Sequence, residues 1–197
     1  NLLILSLNGV AQGYEIKVNI KGYTNDTLLL GYHYGDKQYI KDTSVSKSGN
    51  FVFKADTALE SGMYLVVLQP DHQFFQILID AGKQKFSIET DTSDLAGHLK
   101  FKGSPLNTDF NKYIDFISEN RLKADSIGHL IKQQENNADI SKLKSQLESI
   151  DKSVKSRQNQ IIKDQPNSIL SLLIKWTLDV KVPEFVGTEE EKKKKAF

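Results

Sequence analysis

Apolar and polar residues alternate with a period of two from Tyr14 to about Lys102, which is typical of half-buried β-strands. Tyr14, Ile16, Val18 and Ile20 form the first alternating set. Further alternating stretches follow at residues 28–34, 38–45, 50–54, 63–69, 74–80, 85–90 and 99–102. Gly, Asn, Asp and Pro residues separate these stretches at intervals of about 8–12 residues, a spacing that favours β-sandwiches and barrels. The pattern therefore predicts an all-β sandwich or open barrel of about eight strands.

After Gly103 the apolar spacing becomes helical. Ser104 is suited to a helix N-cap, and Pro105 is suited to the first helical position because its missing N–H costs nothing there. Two long stretches follow, separated by a break at residues 135–137, and both have a narrow apolar stripe with a polar back. These features predict an antiparallel helical hairpin, with a parallel dimeric coiled coil as the alternative. The stripe residues are Phe110, Tyr113, Ile114, Ile117, Ile127, Leu130 and Ile131, then Ile140, Leu143, Leu147, Ile150, Val154 and Ile161.

A third helix is predicted to start at residues 165–168 and to be buried, because it is apolar on most sides. An extended connector at residues 180–184 leads to a capping box, in which Thr188 and Glu191 start another helix. That helix would continue past Phe197, so we expect the chain to be an internal fragment of a longer open reading frame. The predicted organisation is a signal-peptide remnant (1–11), a β-sandwich domain (12–103), a helical hairpin (104–164), and a helix, connector and truncated helix (165–197).

Residues 2–7 form a short apolar run, and the small residues Gly9 and Ala11 precede Gln12. This order is typical of the end of a secretory signal peptide with cleavage before Gln12. The alternative is a first β-strand. The run is too short for a transmembrane segment, which needs about 20 apolar residues. We therefore expect export to the periplasm or cell envelope, with no transmembrane segment.

Composition narrows the candidate chemistry. The chain has no cysteine, and its formal net charge of +1 argues against a nucleic-acid-binding protein. His33, His72, His98 and His129 show no metal-ligand spacing, and no nucleophile elbow, P-loop or dinucleotide-binding glycine pattern is present. The sequence therefore predicts no catalytic residue, no cofactor and no metal site in this segment.

Aromatic residues are frequent on the predicted strands. They could form a stacking face for sugars or bases, but packing inside a sandwich favours the same residues and is the preferred interpretation. Tyr32, Tyr34 and Tyr39, near the turn at residues 35–36, are the candidate binding face if one is exposed.

Three short motifs carry a resemblance to a known family: residues 103–107 (Gly-Ser-Pro-Leu-Asn), residues 166–168 (Pro-Asn-Ser) and residues 182–184 (Val-Pro-Glu). Together with the order of signal peptide, β domain and helical pair, the chain resembles the N-terminal region of exported thioredoxin-like proteins of the thiol–disulfide interchange and peroxiredoxin type. In that family the β domain has no established function, and the redox Cys-x-x-Cys lies in a later thioredoxin-like domain.

The resemblance implies a non-catalytic accessory region that positions or gates a downstream thioredoxin-like domain of the same protein. Partners would be that domain and a client or reductant protein, while the full-length protein would be a thiol–disulfide oxidoreductase. The alternative is a stand-alone periplasmic binding or scaffold module for a protein or glycan.

Overall fold

The computed structural model describes residues 13–46, 48–133 and 137–178. The predicted signal peptide, the extended connector and the final capped helix lie outside these residues. The described residues form eight strands and three helices: β1 Tyr14–Lys21, β2 Thr27–Tyr34, β3 Lys37–Val45, β4 Asn50–Ala55, β5 Gly62–Leu68, β6 Phe74–Ile79, β7 Lys85–Asp91, β8 Lys100–Lys102, α1 Pro105–Gln133, α2 Asn137–Asp164 and α3 Ile169–Thr177.

The strands build two open four-stranded sheets. Sheet A has the order β4-β1-β7-β8, and sheet B has the order β3-β2-β5-β6. β1 pairs in parallel with β7, while the other strand pairs are antiparallel. The predicted fold class, about eight strands in a sandwich or open barrel followed by helices, is confirmed.

The period-two alternation explains the main core. In β1 the residues at even positions, such as Ile16 and Val18, are buried, while Lys17 and Asn19 between them are exposed. Alternate side chains of a strand point to opposite faces, so each sheet turns one apolar face toward the other. The buried residues of this core are Tyr14, Ile16, Val18, Ile20, Leu28, Leu30, Phe51, Phe53, Leu59, Tyr64, Val66, Leu68, Phe75, Ile77, Ile79, Phe86 and Ile88.

The helices form an antiparallel hairpin followed by α3. Near the start of α1, the Tyr113 hydroxyl accepts a hydrogen bond of 3.0 Å from Gln158 Nε2, which lies near the end of α2. Just past α2, Gln165 Nε2 donates to Asp109 Oδ2 at 2.6 Å. The two helices therefore pair within one chain, as the hairpin prediction expected, although α2 already begins at Asn137, inside the predicted break.

The prediction that α3 is buried is wrong for one of its faces. Leu170 and Ile174 are each 1% exposed, whereas Leu172 is 40% and Trp176 is 77% exposed. Among the residues that the structure describes, one side of α3 joins a second core cluster, and the side with Leu172 and Trp176 does not. The buried members of this cluster are Leu78, Phe110, Tyr113, Ile161, Leu170 and Ile174.

Asn107 joins the helices to sheet B. The chain leaves β8 through Gly103, whose φ of +88° is the left-handed conformation that favours glycine, and α1 then begins at Pro105. Asn107 is 0% exposed, and its amide accepts from Leu78 N (2.7 Å) and donates to Leu78 O (2.8 Å). Because Leu78 lies on the edge strand β6, this side chain satisfies backbone groups that a further strand would otherwise pair. Motif 103–107 therefore has a structural role.

Candidate docking face

The outer faces of the two sheets have opposite character. On sheet A the outward residues are polar and charged except for Val52 of β4, as expected for a solvated sheet face. Glu15 in β1 forms ion pairs of 3.1 Å with both Lys17 and Lys54. Hydrogen bonds from these two lysines, and their positive charges, lower the pKa of Glu15. The outward charged side chains leave no contiguous apolar area on the described part of this face.

On sheet B the outward residues of the central strands are apolar. The register places Leu29 of β2 opposite Val67 of β5, and Val67 opposite Phe74 of β6. In the next outward row, Gly31 lies opposite both Leu65 and Ile40. The helices bury Leu78 and pack against Met63 at one end of this face, but they leave Ile40 64% and Phe74 52% exposed. We call this outward patch the sheet B face; it consists of Leu29, Gly31, Ile40, Leu65, Val67 and Phe74. Gly31 and Leu65 are buried at its centre, Leu29 and Val67 are half-buried, and Ile40 and Phe74 are exposed on its two sides.

A cavity of about 260 Å³ opens in the sheet B face. Its floor includes Gly31, and a Cβ at this position would lie 3.3 Å from Tyr39 O, so β2 and β3 approach closely where the glycine lies. An apolar cavity of about 150 Å³ is enough to hold benzene, so there is room for one aromatic or aliphatic side chain. The remaining lining residues are Leu29, Gln38, Tyr39, Ile40, Leu65, Val67, Gln69 and His72.

Polar groups lie only at the margin of this cavity. Gln69 Nε2 lies 3.3 Å from His72 Nδ1, and Gln38 Nε2 lies 3.5 Å from His33 Nε2. These pairs are exposed. An apolar floor with a polar rim is the arrangement found at the centre of protein–protein contacts, and it suits binding of an apolar group.

The predicted tyrosine face is only partly assembled. Tyr32 and Tyr39 lie opposite each other on β2 and β3, with stacked rings whose centroids are 5.7 Å apart, and Tyr64 lies 6.1 Å from Tyr32 on the other side. Tyr32 packs against the main core, and Tyr39 is 43% exposed. Tyr34 lies at the end of β2, is 76% exposed and is not part of this stack. Because Tyr32 uses its ring for these contacts, the cluster serves packing, and the binding role of the three tyrosines stays a prediction.

The sequence interpretation missed the sheet B face, although a signal was present. Residues 28–30 are three consecutive leucines, and residues 64–68 are apolar without interruption. A strand that is apolar on both faces departs from strict alternation, and such strands are typical of sheets with both faces packed against other elements. The departure distinguishes β2 and β5 from β1.

The edges of sheet B are protected, in contrast to its face. The edge strand β3 carries Lys37 and Lys41, and its pairing with β2 is interrupted by a bulge after Leu30. At the other end of β3, Ser44 Oγ accepts a hydrogen bond of 2.9 Å from Val52 N in β4. Lysines and bulges discourage the addition of a foreign strand, so the β3 edge is poorly suited to pairing with another chain.

The four histidines lie apart in the structure. His98 Nδ1 lies 2.7 Å from Asp91 Oδ2, in the loop that connects β7 and β8. His33 is the last residue but one of β2, His72 lies in the β5–β6 turn, and His129 is exposed on α1. In the residues that the structure describes, no group of three or more His, Asp or Glu side chains could hold a metal ion. No helix among those residues is long and apolar enough to cross a membrane.

Neither curated proteins nor solved structures gave a match to this sequence. One family model does match, over residues 14–110. The matched segment begins at the first residue of β1 and ends at Phe110 in α1, so it contains both sheets and the Asn107 junction. Residues 14–110 thus match the family described as "Domain of unknown function (DUF4369)".

Proposed function

We propose that this chain is the non-catalytic N-terminal accessory region of an exported thioredoxin-like thiol–disulfide oxidoreductase, and that the sheet B face holds the redox domain. The observation that carries the proposal is the apolar, partly uncovered face beside the helices. Soluble proteins rarely expose large contiguous apolar areas except at interaction sites. The match to a domain family without a known activity and the resemblance at residues 103–107 give further support.

The free energy available at this face can be worked out from exposure. Fully burying a side chain the size of Ile or Phe contributes about 1.5–3 kcal/mol. Ile40 and Phe74 are 64% and 52% exposed, so each has about 1–1.5 kcal/mol left to gain when a partner covers it. A tethered domain docks intramolecularly at a high effective concentration, so it needs less contact free energy than a separate protein. Two such residues and one filled cavity are therefore enough to favour a docked position.

In the proposed mechanism, the cysteines of the redox domain perform thiol–disulfide exchange. Its rate depends on the attacking thiolate and on access to the sulfur atoms. A domain docked on the sheet B face would have its cysteines oriented toward or away from a client or reductant protein. The accessory region would therefore control access and perform no chemistry itself.

The first test is the gene sequence beyond Phe197. We expect a Cys-x-x-Cys that follows a predicted strand and opens a helix. A stop codon within a few codons of Phe197 would contradict the proposal. The 197-residue chain alone should also show no insulin reduction above a buffer control.

The second test uses the full gene product and charged substitutions on the face. I40K and F74K should each change the alkylation rate of the redox cysteines by about tenfold, because about 1.4 kcal/mol of docking free energy is removed. V52K is the matched control, since Val52 is 45% exposed on the outer face of sheet A. Equal alkylation rates in all three variants and wild type would show that the sheet B face does not hold the redox domain.

The second candidate is a stand-alone periplasmic binding or scaffold module. The cavity beside Gly31 favours it, because a preformed apolar slot with a polar rim also suits a side chain of a separate envelope protein. In that case the gene would end near Phe197, and I40K but not V52K would abolish co-purification of a partner from cell envelopes.

A further inference from the structure

The distal part of the hairpin is only one layer deep. In α1, no residue after Ile117 belongs to either core cluster in the described part of the chain, and in α2 no residue before Ile161 does. The seam between the helices is consequently half-buried. The half-buried seam residues are Ala124, Ile127, Ile131, Ile140, Leu143, Leu147, Ile150 and Val154.

One side of this seam forms a groove with a cavity of about 290 Å³. Its floor is apolar, and it continues the second core cluster, because Ile117 belongs to both. The small side chain of Ala124 leaves the groove deep at this point. One turn further along α1, the space around Gly128 is open, because a Cβ there would meet nothing within 4 Å. Small residues at a helix surface allow another helix to approach closely. The other lining residues are Asn120, Arg121, Leu147, Ile150, Asp151 and Val154.

The two walls of the groove carry opposite charges. Arg121 lies on the α1 wall and pairs along its own helix with Asp125 at 3.9 Å. Asp151 lies on the α2 wall and pairs along its own helix with Lys155 at 2.8 Å. A two-fold axis that passes through the groove parallel to the helices would place α1 of one copy against α2 of the other, so that each Arg121 faces Asp151 of the second copy. An isologous contact requires this kind of self-complementarity.

We propose that the groove is the interface of a symmetric dimer, in which two hairpins form a four-helix bundle. The seam from Ile117 to Ile131 is about 20 Å long at 1.5 Å per residue, and two adjacent helices are about 20 Å wide. The two copies would therefore bury about 800–1,000 Å² in total, which is below the standard interface and belongs to the weak class. The dimer is accordingly weak and depends on protein concentration. This proposal is independent of the function of the sheet B face.

The test is sedimentation velocity of the 197-residue chain from about 5 to 500 µM, a range that covers dissociation constants between about 1 µM and 1 mM. The proposal expects a shift from monomer to dimer within it. R121D and D151R, each alone, place like charges opposite one another and should remain monomeric at concentrations where wild type dimerises. A mixture of the R121D and D151R chains restores both opposite-charge contacts and should dimerise. K123D is the matched control, since Lys123 pairs with Glu119 at 3.8 Å on α1 and does not line the groove; it should dimerise like wild type.

Circular dichroism of each variant verifies that the helices are retained. A wild-type monomer at all concentrations overturns the proposal, as does a mixture that stays monomeric. In a third outcome, the 197-residue chain is monomeric, but the groove is protected from hydrogen exchange in the full gene product. The groove would then be covered by another part of the same protein, which also overturns the dimer. None of these results depends on I40K or on redox activity, so they are separable from the test of the sheet B face.

Discussion

Replacing Asn107 by alanine tests how the helices are held on the sandwich. The Asn107 amide forms three buried hydrogen bonds: from Leu78 N at 2.7 Å, to Leu78 O at 2.8 Å and to Ser104 Oγ at 2.9 Å. Leu78 is 1% exposed, so its N–H and C=O find no water when the amide is removed. Each unsatisfied buried group costs about 1–3 kcal/mol. For the two groups of Leu78 the loss in the free energy of unfolding is therefore about 2–6 kcal/mol, and we expect about 3 kcal/mol.

The assay is thermal and urea unfolding of the 197-residue chain. For a protein of this size, about 3 kcal/mol corresponds to a decrease of about 6–12 °C in Tm. N111A is the matched control: Asn111 lies one turn later in α1 and donates only an exposed 3.3 Å bond to Asp115, so its effect should stay within about 0.5 kcal/mol.

A second variant separates hydrogen bonding from packing. N107L keeps the branched four-atom shape of the side chain, with larger methyl groups, but cannot satisfy Leu78, so it should be about as destabilised as N107A. If N107L were close to wild type in stability, filled volume and not the amide would be what holds α1 to β6. If N107A matched N111A, the reasoning about the edge strand would be refuted.

Two predictions concern pH. The Tyr14 hydroxyl donates to Asp42 Oδ2 at 2.7 Å, and burial together with this bond raises the pKa of Tyr14. As pH rises, Tyr14 therefore loses its proton in the unfolded chain before it does so in the folded chain, and the free energy of unfolding should fall above pH about 10. Y14F should lessen that fall in alkaline urea unfolding. The Ser93 hydroxyl and, to a lesser degree, His98 lower the pKa of Asp91 to about 2. The ionised Asp91 carboxylate therefore stabilises the folded chain above the unfolded pKa of about 4, and this stabilisation is lost as pH falls toward 2. Carboxyl NMR titration should show Asp91 ionised at pH 3, and a midpoint near the ordinary value would contradict this assignment.

The strands were accessible to sequence reasoning because alternation is a local property. Each of the eight predicted stretches corresponds to one strand, and Ser104 with Pro105 marked the start of α1. The candidate site was harder to predict from the sequence. Tyr32 and Tyr39 come together because they lie opposite each other on β2 and β3, whereas Tyr34 extends from the end of the same strand.

The sequence by itself determined the order of strands and helices and which residues of each strand share a face, since periods of 2 and 3.6 follow from backbone geometry. Only the tertiary structure decided which of those faces are covered. The parallel pairing of β1 with β7 and the bond of Asn107 to Leu78, 29 residues away, depend on long-range contacts. Trp176 on α3 and Ile40 on sheet B are apolar like their buried neighbours, yet both are exposed. Burial depends on what packs against a face, and no local pattern encodes that.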